Sequence, residues 1–521
     1  MPSFTRTERF LTGLSTAVLC GLLYGLCFPP VRQRWLAWVV LAPPLVAMRR
    51  HSVLGAMLVA GTLAAAGAGV TVNWLPGTVT TYFQQPAAVG VLLFAAVTAV
   101  MVVPPYALFG AVYRCVGARP AAWVPSAAAA AWVVNEYARA HAFTGNPWVL
   151  LGYSQVGADH VVQIADLAGV YGITFVVALV NATLAEVWLA LRAPERPAAP
   201  LVGAPLLATA LVVANLVYGH VRLTEADHEH DHEHEHDVAI IQGNLDLGAQ
   251  WRQEMYGTNL ETYLRMTLQV LRDQRPALVV WPENAMTFFL EKEPMYQAAI
   301  AQVLAPFGAQ LVAGGPHTWN VLDPQYHNSV FVLAPDGRVL ARYDKEHLLP
   351  FAEYFPFRQA DLLRRDFGRV REFTPGGPGP PLATVVGAAG VLICNEAMFP
   401  EIARARVQAG ADYLLNLTND TWVPGRQFAG IAFDMSVLRA IEQRRWLIRA
   451  STAGPSAIVD PWGRVTVRSA LGARAMVTGA IERRTHASPY GRMGDRFAAA
   501  CAVLSAAILI WLCVRRGTRP V

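Results

Sequence analysis

Three polar side chains in the second half of the sequence have the types that acyl transfer requires. Glu283 ends the stretch VVWPE, Lys345 lies in RYDKEH, and Cys394 ends the apolar run GVLIC. A thiolate is a nucleophile, and a carboxylate can take the thiol proton as a general base. An ammonium can lower the thiol pKa and stabilise the oxyanion of a tetrahedral intermediate. The three residue types together therefore indicate covalent catalysis through Cys394.

Each of these residues follows or ends a short stretch that is typical of a strand. Such stretches recur over residues 237–490 and alternate with helical patterns, which indicates an α/β domain. Reactive residues in such domains collect at strand ends, where the loops meet. The stretches APDGRV and DPWGRV predict tight hairpin turns, because Asp and Gly suit the backbone there. Helices are predicted over residues 255–272, 294–307, 400–409 and 428–443.

The sequence outside this domain has the composition of a membrane protein. The 521 residues are 54% hydrophobic and only 15% charged, which is unusual for a soluble protein. A spanning helix needs about 20 mostly apolar residues, or somewhat fewer where flanking side chains reach the interface. Eight candidate spans follow: residues 11–29, 35–48, 53–70, 88–112, 121–134, 161–191, 201–220 and 497–514.

Arginines at the ends of these segments predict the orientation in the membrane. With eight spans, most of them fall on one side, which the positive-inside rule makes cytoplasmic. The arginines on the cytoplasmic side are Arg6, Arg9, Arg49, Arg50, Arg114, Arg119, Arg192, Arg196, Arg515, Arg516 and Arg519. Arg32, Arg34 and Arg139 break the pattern. The predicted domains are a transmembrane bundle (1–220), a linker (221–236), an external catalytic domain (237–490) and a last helix with a cytoplasmic tail (491–521). In a bacterium, this corresponds to a multi-pass inner-membrane protein whose catalytic domain is periplasmic.

Two further patterns limit the partners and ligands. The net charge of +5 is small for this length and scattered, so no nucleic-acid partner is expected. Alternating histidines from His228 to His236 could hold a transition metal, or they could form a solvated linker. No other cluster of histidine and cysteine suggests a catalytic metal, and no cofactor is expected.

The order of Glu283, Lys345 and Cys394 resembles that of the nitrilase, or carbon–nitrogen hydrolase, superfamily. The chain as a whole resembles the bacterial apolipoprotein N-acyltransferase family. The stretches that carry this second resemblance include FTGNPWVLLGYSQ, AGVYGITFVVALVNATLAE, WPEN, KEHLLPFAEYFP, CNEAMFPE and NLTNDTW. The resemblance implies an αββα sandwich on about eight transmembrane helices. It also implies transfer of a fatty acyl chain from a phospholipid to the diacylglyceryl-cysteine amine of an apolipoprotein through a Cys394 thioester. We expect a monomer in the lipid bilayer.

The same resemblance extends to residues around the three catalytic candidates. Glu353, Glu396 and Trp251 match supporting positions of the family. Asn395 stands where many members have an aromatic residue. Candidate substrate contacts are Asn395, Trp422, Arg426, Phe351 and Tyr354, and Arg445 is a further candidate for a headgroup. Apolar side chains that could form lids are Phe288, Phe289, Leu290, Phe351, Tyr354, Phe355, Phe357, Trp422 and Phe428.

Two other functions compete with acyl transfer. A membrane-anchored amidase could use the same three residues with water as acceptor, but one anchor helix would be enough for it. A transporter with an inactive domain should carry ionisable groups inside several spans. Few occur here: Glu136 and Arg139 lie near one span end, and Asp166 and Glu186 lie toward the ends of another.

Overall fold

A computed structural model describes residues 5–117, 121–192, 199–229, 235–245, 253–318, 325–355 and 372–517. Its internal contacts divide the chain into two compact units. The first contains Met1–Pro76, Ala87–Thr224 and Met493–Val521, and the second contains Gly77–Pro86 and Glu225–Arg492. The short segment Gly77–Pro86 therefore groups with the second unit, although the sequence places it within the transmembrane region.

The first unit is helical throughout most of its described length. Its helices are α1 (Arg6–Gly25), α2 (Ala42–Arg50), α3 (Val53–Thr71), α4 (Trp74–Thr81, which continues past the division), α5 (Ala87–Val97), α6 (Val103–Val116), α7 (Val124–His141), α8 (Asp159–Val162), α9 (Ala165–Leu191), α10 (Ala199–Glu229) and, near the C-terminus, α16 (Arg496–Gly517). A π-helical turn, Thr98–Val102, joins α5 to α6. Helix α10 continues to Glu229, so much of the predicted linker is helical.

Five helical stretches in the described part of the chain are long and apolar enough to cross a membrane. They are Val53–Thr71, Ala87–Val116, Ala165–Leu191, Val202–Ala226 and Arg496–Val514. All five coincide with predicted spans. The predicted spans at 11–29 and 121–134 lie largely in α1 and α7, which are helical but outside this set. The total of eight spans therefore stays a prediction.

The predicted span at residues 35–48 is not one continuous helix. A 3₁₀ turn, Arg34–Trp38, precedes α2, whose first turn contains two prolines. Proline lacks an amide donor and suits the start of a helix rather than its interior, so the chain begins a new helix here. The nine residues of α2 extend only about 14 Å at 1.5 Å per residue, which is too short to cross a bilayer alone.

Two buried acidic side chains of the helical unit, Glu136 and Glu186, have structural partners. Glu136 accepts hydrogen bonds from Trp132 Nε1, the Leu151 amide and Thr174 Oγ1. Glu186 pairs with Arg49 at 2.8 Å. Such buried charges normally require partners of this kind, and here they join helices to one another.

Two six-stranded sheets form the centre of the second unit. The first has the strand order β12-β1-β2-β3-β4-β5, and the second has the order β11-β10-β9-β8-β7-β6. The strands are β1 (His236–Gln242), β2 (Leu278–Val280), β3 (Gln310–Thr318), β4 (Tyr326–Leu333), β5 (Val339–Asp344), β6 (Leu382–Thr384), β7 (Gly387–Ile393), β8 (Tyr413–Thr418), β9 (Leu447–Ser451), β10 (Ala457–Val459), β11 (Val465–Arg468) and β12 (Ala475–Ile481).

Helices cover the outer faces of the two sheets. One buried core joins the sheets through residues such as Ile240 and Val280 on one side and Ile393 and Leu415 on the other. A second core lies between the first sheet and helices α11 (Tyr256–Asp273) and α12 (Pro294–Leu304). Helices α13 (Pro400–Gln408) and α14 (Gln427–Gln443) contact the second sheet, and α15 (Pro489–Met493) follows β12. The predicted αββα sandwich is therefore confirmed.

Local predictions for this unit also agree closely with the structure. The four predicted helices correspond to α11, α12 with its 3₁₀ extension Ala305–Phe307, α13 and α14. Both predicted hairpin turns form, with Gly337 at φ +82° and Gly463 at φ +87°. Glycine suits these positions because positive φ strains other residues. These turns fix the antiparallel pairs β4–β5 and β10–β11.

Candidate active site

Cys394 lies at the sharp turn that follows β7. Its φ is +52°, a left-handed conformation that is uncommon for a residue with a side chain. Strained backbone of this kind persists only where neighbouring groups hold it. Asn416 Nδ2 donates to the carbonyl oxygen of Leu392 at 2.8 Å and to that of Cys394 at 3.5 Å. The turn therefore fixes the position of the thiol at the end of a buried strand.

Glu283 comes three residues after β2 ends and is buried. Its Oε1 accepts a hydrogen bond from Asn328 Nδ2 at 2.7 Å, and its Oε2 accepts one from the Asn419 amide at 2.7 Å. These two donors come from different sheets, since Asn328 lies in β4 and Asn419 follows β8. The carboxylate is therefore held rigidly at the edge where the sheets meet.

Lys345 follows β5 and is also buried, with only 1% of its surface exposed. Its Nζ pairs with Glu353 Oε2 at 2.7 Å, and the same oxygen accepts the Leu349 amide at 2.7 Å. Asn328 Nδ2 donates to Glu353 Oε1 at 2.8 Å as well as to Glu283. The side-chain amide of Asn328 thus bridges the carboxylates of Glu283 and Glu353, and the Glu353 carboxylate orients the Lys345 ammonium.

The electrostatics of this cluster determine where the protons reside. Burial, and then the carboxylate of Glu283, raise the pKa of the Cys394 thiol above its usual range, although Lys345 acts in the opposite direction. Burial raises the pKa of Glu283 to about 7, with Lys345 opposing this and Glu353 adding to it. Burial disfavours the charge on Lys345, but the negative charges of Glu353, Cys394 and Glu283 together outweigh it and raise the pKa of the Lys345 ammonium.

The resting thiol therefore keeps its proton. From the sequence, Lys345 is expected to lower the pKa of the Cys394 thiol, and its effect on that pKa has this sign. Burial has a larger effect on the thiol pKa than Lys345 has, because a thiolate in an apolar environment loses its hydration. A carboxylate whose pKa lies near 7 can accept the thiol proton as the sulfur attacks. The cluster can thus generate a nucleophile at the moment of reaction.

Glu396 holds the backbone on both sides of the site in place. Its carboxylate makes no direct hydrogen bond to Glu283, Lys345 or Cys394. Its carboxylate accepts four hydrogen bonds, from the amides of Ile393, Glu346 and His347 and from the Tyr343 hydroxyl, at 2.7 to 3.1 Å. It therefore ties the turn that carries Cys394 to the loop that follows Lys345.

The other predicted residues are more dispersed. Asn395 donates to the His347 carbonyl at 3.2 Å, and Phe351, at φ +65°, packs edge-on against Phe355 at 5.6 Å. The Tyr354 carbonyl accepts the Phe351 amide at 2.8 Å. Arg426 is exposed at the start of α14. Trp251, Phe357 and most of the histidine tract lie outside the described residues.

Trp422 belongs to an aromatic cluster that includes a residue from the segment Gly77–Pro86. Its ring lies 5.5 Å from that of Phe428 and 6.1 Å from that of Tyr82. Trp422 and Phe428 are expected near the site from the sequence, but a contribution from Tyr82 is not. A ring from a distant part of the chain therefore adds to the surface beside Asn419.

Three candidate contacts from the sequence are structural instead. Arg445 is buried, and its guanidinium donates to the carbonyl oxygens of Ala411 and His486 at 2.9 and 2.6 Å. A headgroup cannot reach a guanidinium committed in this way. Phe288 and Leu290 lie in the core between the first sheet and its helices, so they do not form a lid.

Polar residues beneath the site were not predicted from the sequence. Arg449, in β9, donates Nη1 to Asn416 Oδ1 and Nη2 to Asp420 Oδ2, the latter at 3.1 Å. Ser451 Oγ also donates to Asp420, at 2.9 Å. This network holds the side chain of Asn416, whose amide group in turn holds the turn at Cys394. A run of polar residues ending a strand, in NLTND, is the only sequence signal for it.

Asn328→Ala is expected to slow acylation and shift its pH dependence. The change removes a donor shared by the carboxyl groups of Glu283 and Glu353, and a hydrogen bond to a charged group contributes about 1.5–3 kcal/mol, so a loss of roughly 10- to 100-fold is expected at neutral pH. The pKa of Glu283 should rise, because Asn328 favours its ionised form. Acylation rates measured from pH 5 to 9 should therefore show an acid limb displaced upward.

A matched control separates this effect from a general loss of stability. Asn259 lies in α11 of the same unit, and within the described residues its side chain makes one long hydrogen bond, of 3.5 Å, to Thr287 Oγ1. Asn259→Ala should leave the acid limb unchanged. An unshifted limb in a folded Asn328→Ala protein would contradict the bridging role.

Comparisons with known proteins cover both parts of the chain. Residues 237–488 match the carbon–nitrogen hydrolase family, and residues 20–183 match the N-terminal domain of apolipoprotein N-acyltransferases. The apolipoprotein N-acyltransferase of Geobacter metallireducens is 34% identical over 522 residues, covering 99% of this chain and 98% of that relative. The corresponding protein of Bradyrhizobium diazoefficiens is 32% identical over 411 residues, covering 75% and 73%.

Among solved structures, a carbon–nitrogen hydrolase from Helicobacter pylori aligns with 48% of this chain and 90% of its own, at 18% identity and a TM-score of 0.38. An amidase from Nesterenkonia sp. AN1 aligns with 51% of this chain and 98% of its own, at 18% identity and a TM-score of 0.37.

Proposed function

Because the chain belongs to the apolipoprotein N-acyltransferase family and is an acyltransferase, we propose that Cys394 carries the acyl group as a thioester between donor and acceptor. The observation that supports this assignment most directly is the family match over both parts of the chain, together with the buried cluster of Glu283, Lys345 and Cys394. The donor is a phospholipid, and the acceptor is the diacylglyceryl-cysteine amine at the start of an apolipoprotein.

The first half of the reaction forms the thioester. The Cys394 sulfur attacks the ester carbonyl carbon of the phospholipid while its proton moves to Glu283. The Lys345 ammonium, fixed by Glu353 at 2.7 Å, stabilises the negative charge on the tetrahedral oxygen. The carbon–oxygen bond then breaks, Glu283 returns the proton to the departing alkoxide, and a lysophospholipid leaves.

The second half transfers the acyl group to nitrogen. The acceptor amine attacks the thioester carbonyl, and Glu283 takes a proton from that nitrogen. The carbon–sulfur bond breaks, and the sulfur recovers its proton from Glu283. The products are an amide and the original thiol. Because the amine must compete with water, burial of Cys394 at 9% exposure limits loss of the intermediate by hydrolysis.

The protein acts at a membrane, where both substrates reside. Five apolar helices in the described residues are long enough to span a bilayer. The arginines at the ends of the predicted spans support a bacterial inner-membrane protein with its catalytic domain in the periplasm. A bundle of spans suits lipid substrates better than it suits a water-soluble amide. The protein works as a monomer, without a metal or cofactor in the chemical steps.

Transfer can be distinguished from hydrolysis with a synthetic diacylglyceryl-cysteine peptide. The purified protein, given phospholipid and this peptide, should form the N-acyl peptide faster than it releases free fatty acid. A peptide with an acetylated N-terminus is the matched control, since it lacks the attacking amine. Fatty acid release at the same rate with either peptide, without N-acyl product, would support the membrane-anchored amidase instead.

A further inference from the structure

A groove of about 1730 Å³ opens within the helical unit. Its lining comes from the first turns of α1 and α3, from residues along the whole length of α2 and from the last turns of α9. All of its lining residues belong to the first unit, whereas Glu283, Lys345 and Cys394 belong to the second. The groove is therefore distinct from the candidate active site.

The side chains that line the groove carry positive charge and no carboxylate, although Glu8 lies beside Arg9 in the first turn of α1. Arg6, Arg9 and Arg50 line it and are exposed, and none has an ion-pair partner in the described part of the chain. Arg49 also lines it but is neutralised by Glu186 at 2.8 Å. No acidic residue is among the lining side chains. The lining of the groove thus favours an anion over a cation.

Apolar side chains continue the same groove away from the arginines. Leu54, Leu58 and Trp188 line it with 65%, 47% and 45% of their surfaces exposed. A soluble anion such as phosphate would use only the basic end and would leave this apolar wall uncovered. A ligand with a charged head and hydrocarbon chains would cover both surfaces.

We propose that this groove binds one phospholipid with a net negative headgroup, separately from the acyl donor at Cys394. The phosphate pairs with Arg9 and Arg50, which lie at the ends of neighbouring helices, and the acyl chains lie along Leu54, Leu58 and Trp188. Basic pockets between transmembrane helices bind anionic lipid headgroups in this way. The lipid fills the space among four helices and thereby stabilises the bundle.

The test compares two lipids that differ only in headgroup charge. The purified full-length protein is titrated with phosphatidylglycerol or phosphatidylcholine of the same acyl chains, and bound lipid is measured by native mass spectrometry alongside the melting temperature. We expect preferential retention of phosphatidylglycerol and a larger rise in melting temperature with it. The double variant Arg9→Gln/Arg50→Gln should bind phosphatidylglycerol at least about tenfold more weakly.

Arg496→Gln is the control, because Arg496 is an exposed arginine that begins α16 and does not line the groove. It should keep wild-type lipid selectivity. Acyl transfer should remain within about twofold of wild type in all variants. If the variants transfer acyl groups normally but lipid selectivity does not behave as expected, only the lipid-binding proposal is overturned, and the proposed catalytic role of Cys394 is unaffected. Equal retention of both lipids, equal loss in Arg496→Gln, or the same stabilisation by inorganic phosphate alone would overturn the proposal.

Discussion

Cys394→Ala is expected to abolish N-acylation while leaving the protein folded and inserted in the membrane. The sulfur is the only protein atom that bonds to the acyl group in the proposed mechanism, so no other protein group replaces it when it is lost. Removing the nucleophile should lower the turnover rate by a factor on the order of 10⁴ or more. The measurement is formation of N-acyl peptide by the purified variant.

Cys394→Ser tests whether size alone accounts for this loss. A serine fits the same turn and keeps a hydroxyl, but its hydroxyl is a much weaker nucleophile than a thiol at neutral pH. We expect it to be almost as inactive as the alanine variant. Normal acylation by a correctly inserted Cys394→Ala protein would show that another residue carries the acyl group.

Glu283→Gln is expected to lower the rate of thioester formation by about 10²- to 10⁴-fold, the usual contribution of a general base. In the wild type, the pKa of Glu283 is raised by burial to about 7. Below that pH the carboxyl group is protonated and cannot accept the thiol proton. The wild-type rate should therefore rise about tenfold per pH unit up to about pH 7 and then level off.

The glutamine variant should lose this acid limb, because no group then titrates in that role. Single-turnover measurements from pH 5 to 9 provide the comparison. Glu401→Gln is the matched control, since Glu401 is exposed in the first turn of α13 and, in the described part of the chain, makes no side-chain hydrogen bond to Glu283, Lys345 or Cys394. A Glu283→Gln protein that retains the wild-type limb would assign the proton transfer to a different group.

The sequence predicts those parts of the fold that depend on local patterns. Glu283, Lys345 and Cys394 are recognisable because each follows a strand-like stretch, and such strand ends converge in this architecture. Hairpin turns at Gly337 and Gly463 are recognisable because glycine accommodates positive φ. The predicted span at residues 35–48 is wrong as one helix, because its apolar composition does not show that a 3₁₀ turn ends at Trp38 and that a new helix begins at Ala42.

The remaining features depend on tertiary packing that no local pattern reveals. Asn328 looks like an ordinary polar residue near the start of a strand, and only the folded protein places its amide between two carboxylates. Arg445 looks like a surface cation but is buried. Tyr82 is distant in sequence from Trp422, whose ring it approaches. The raised thiol pKa likewise follows from burial, which emerges only when both sheets pack.

The most direct test of the account is the mass of the protein after incubation with phospholipid and no acceptor. Peptide mapping by mass spectrometry should find one fatty acyl group on Cys394, and adding the diacylglyceryl peptide should remove it as N-acyl product appears. The account is contradicted if the acyl group is found on another residue, or if transfer proceeds at full rate while Cys394 is never acylated.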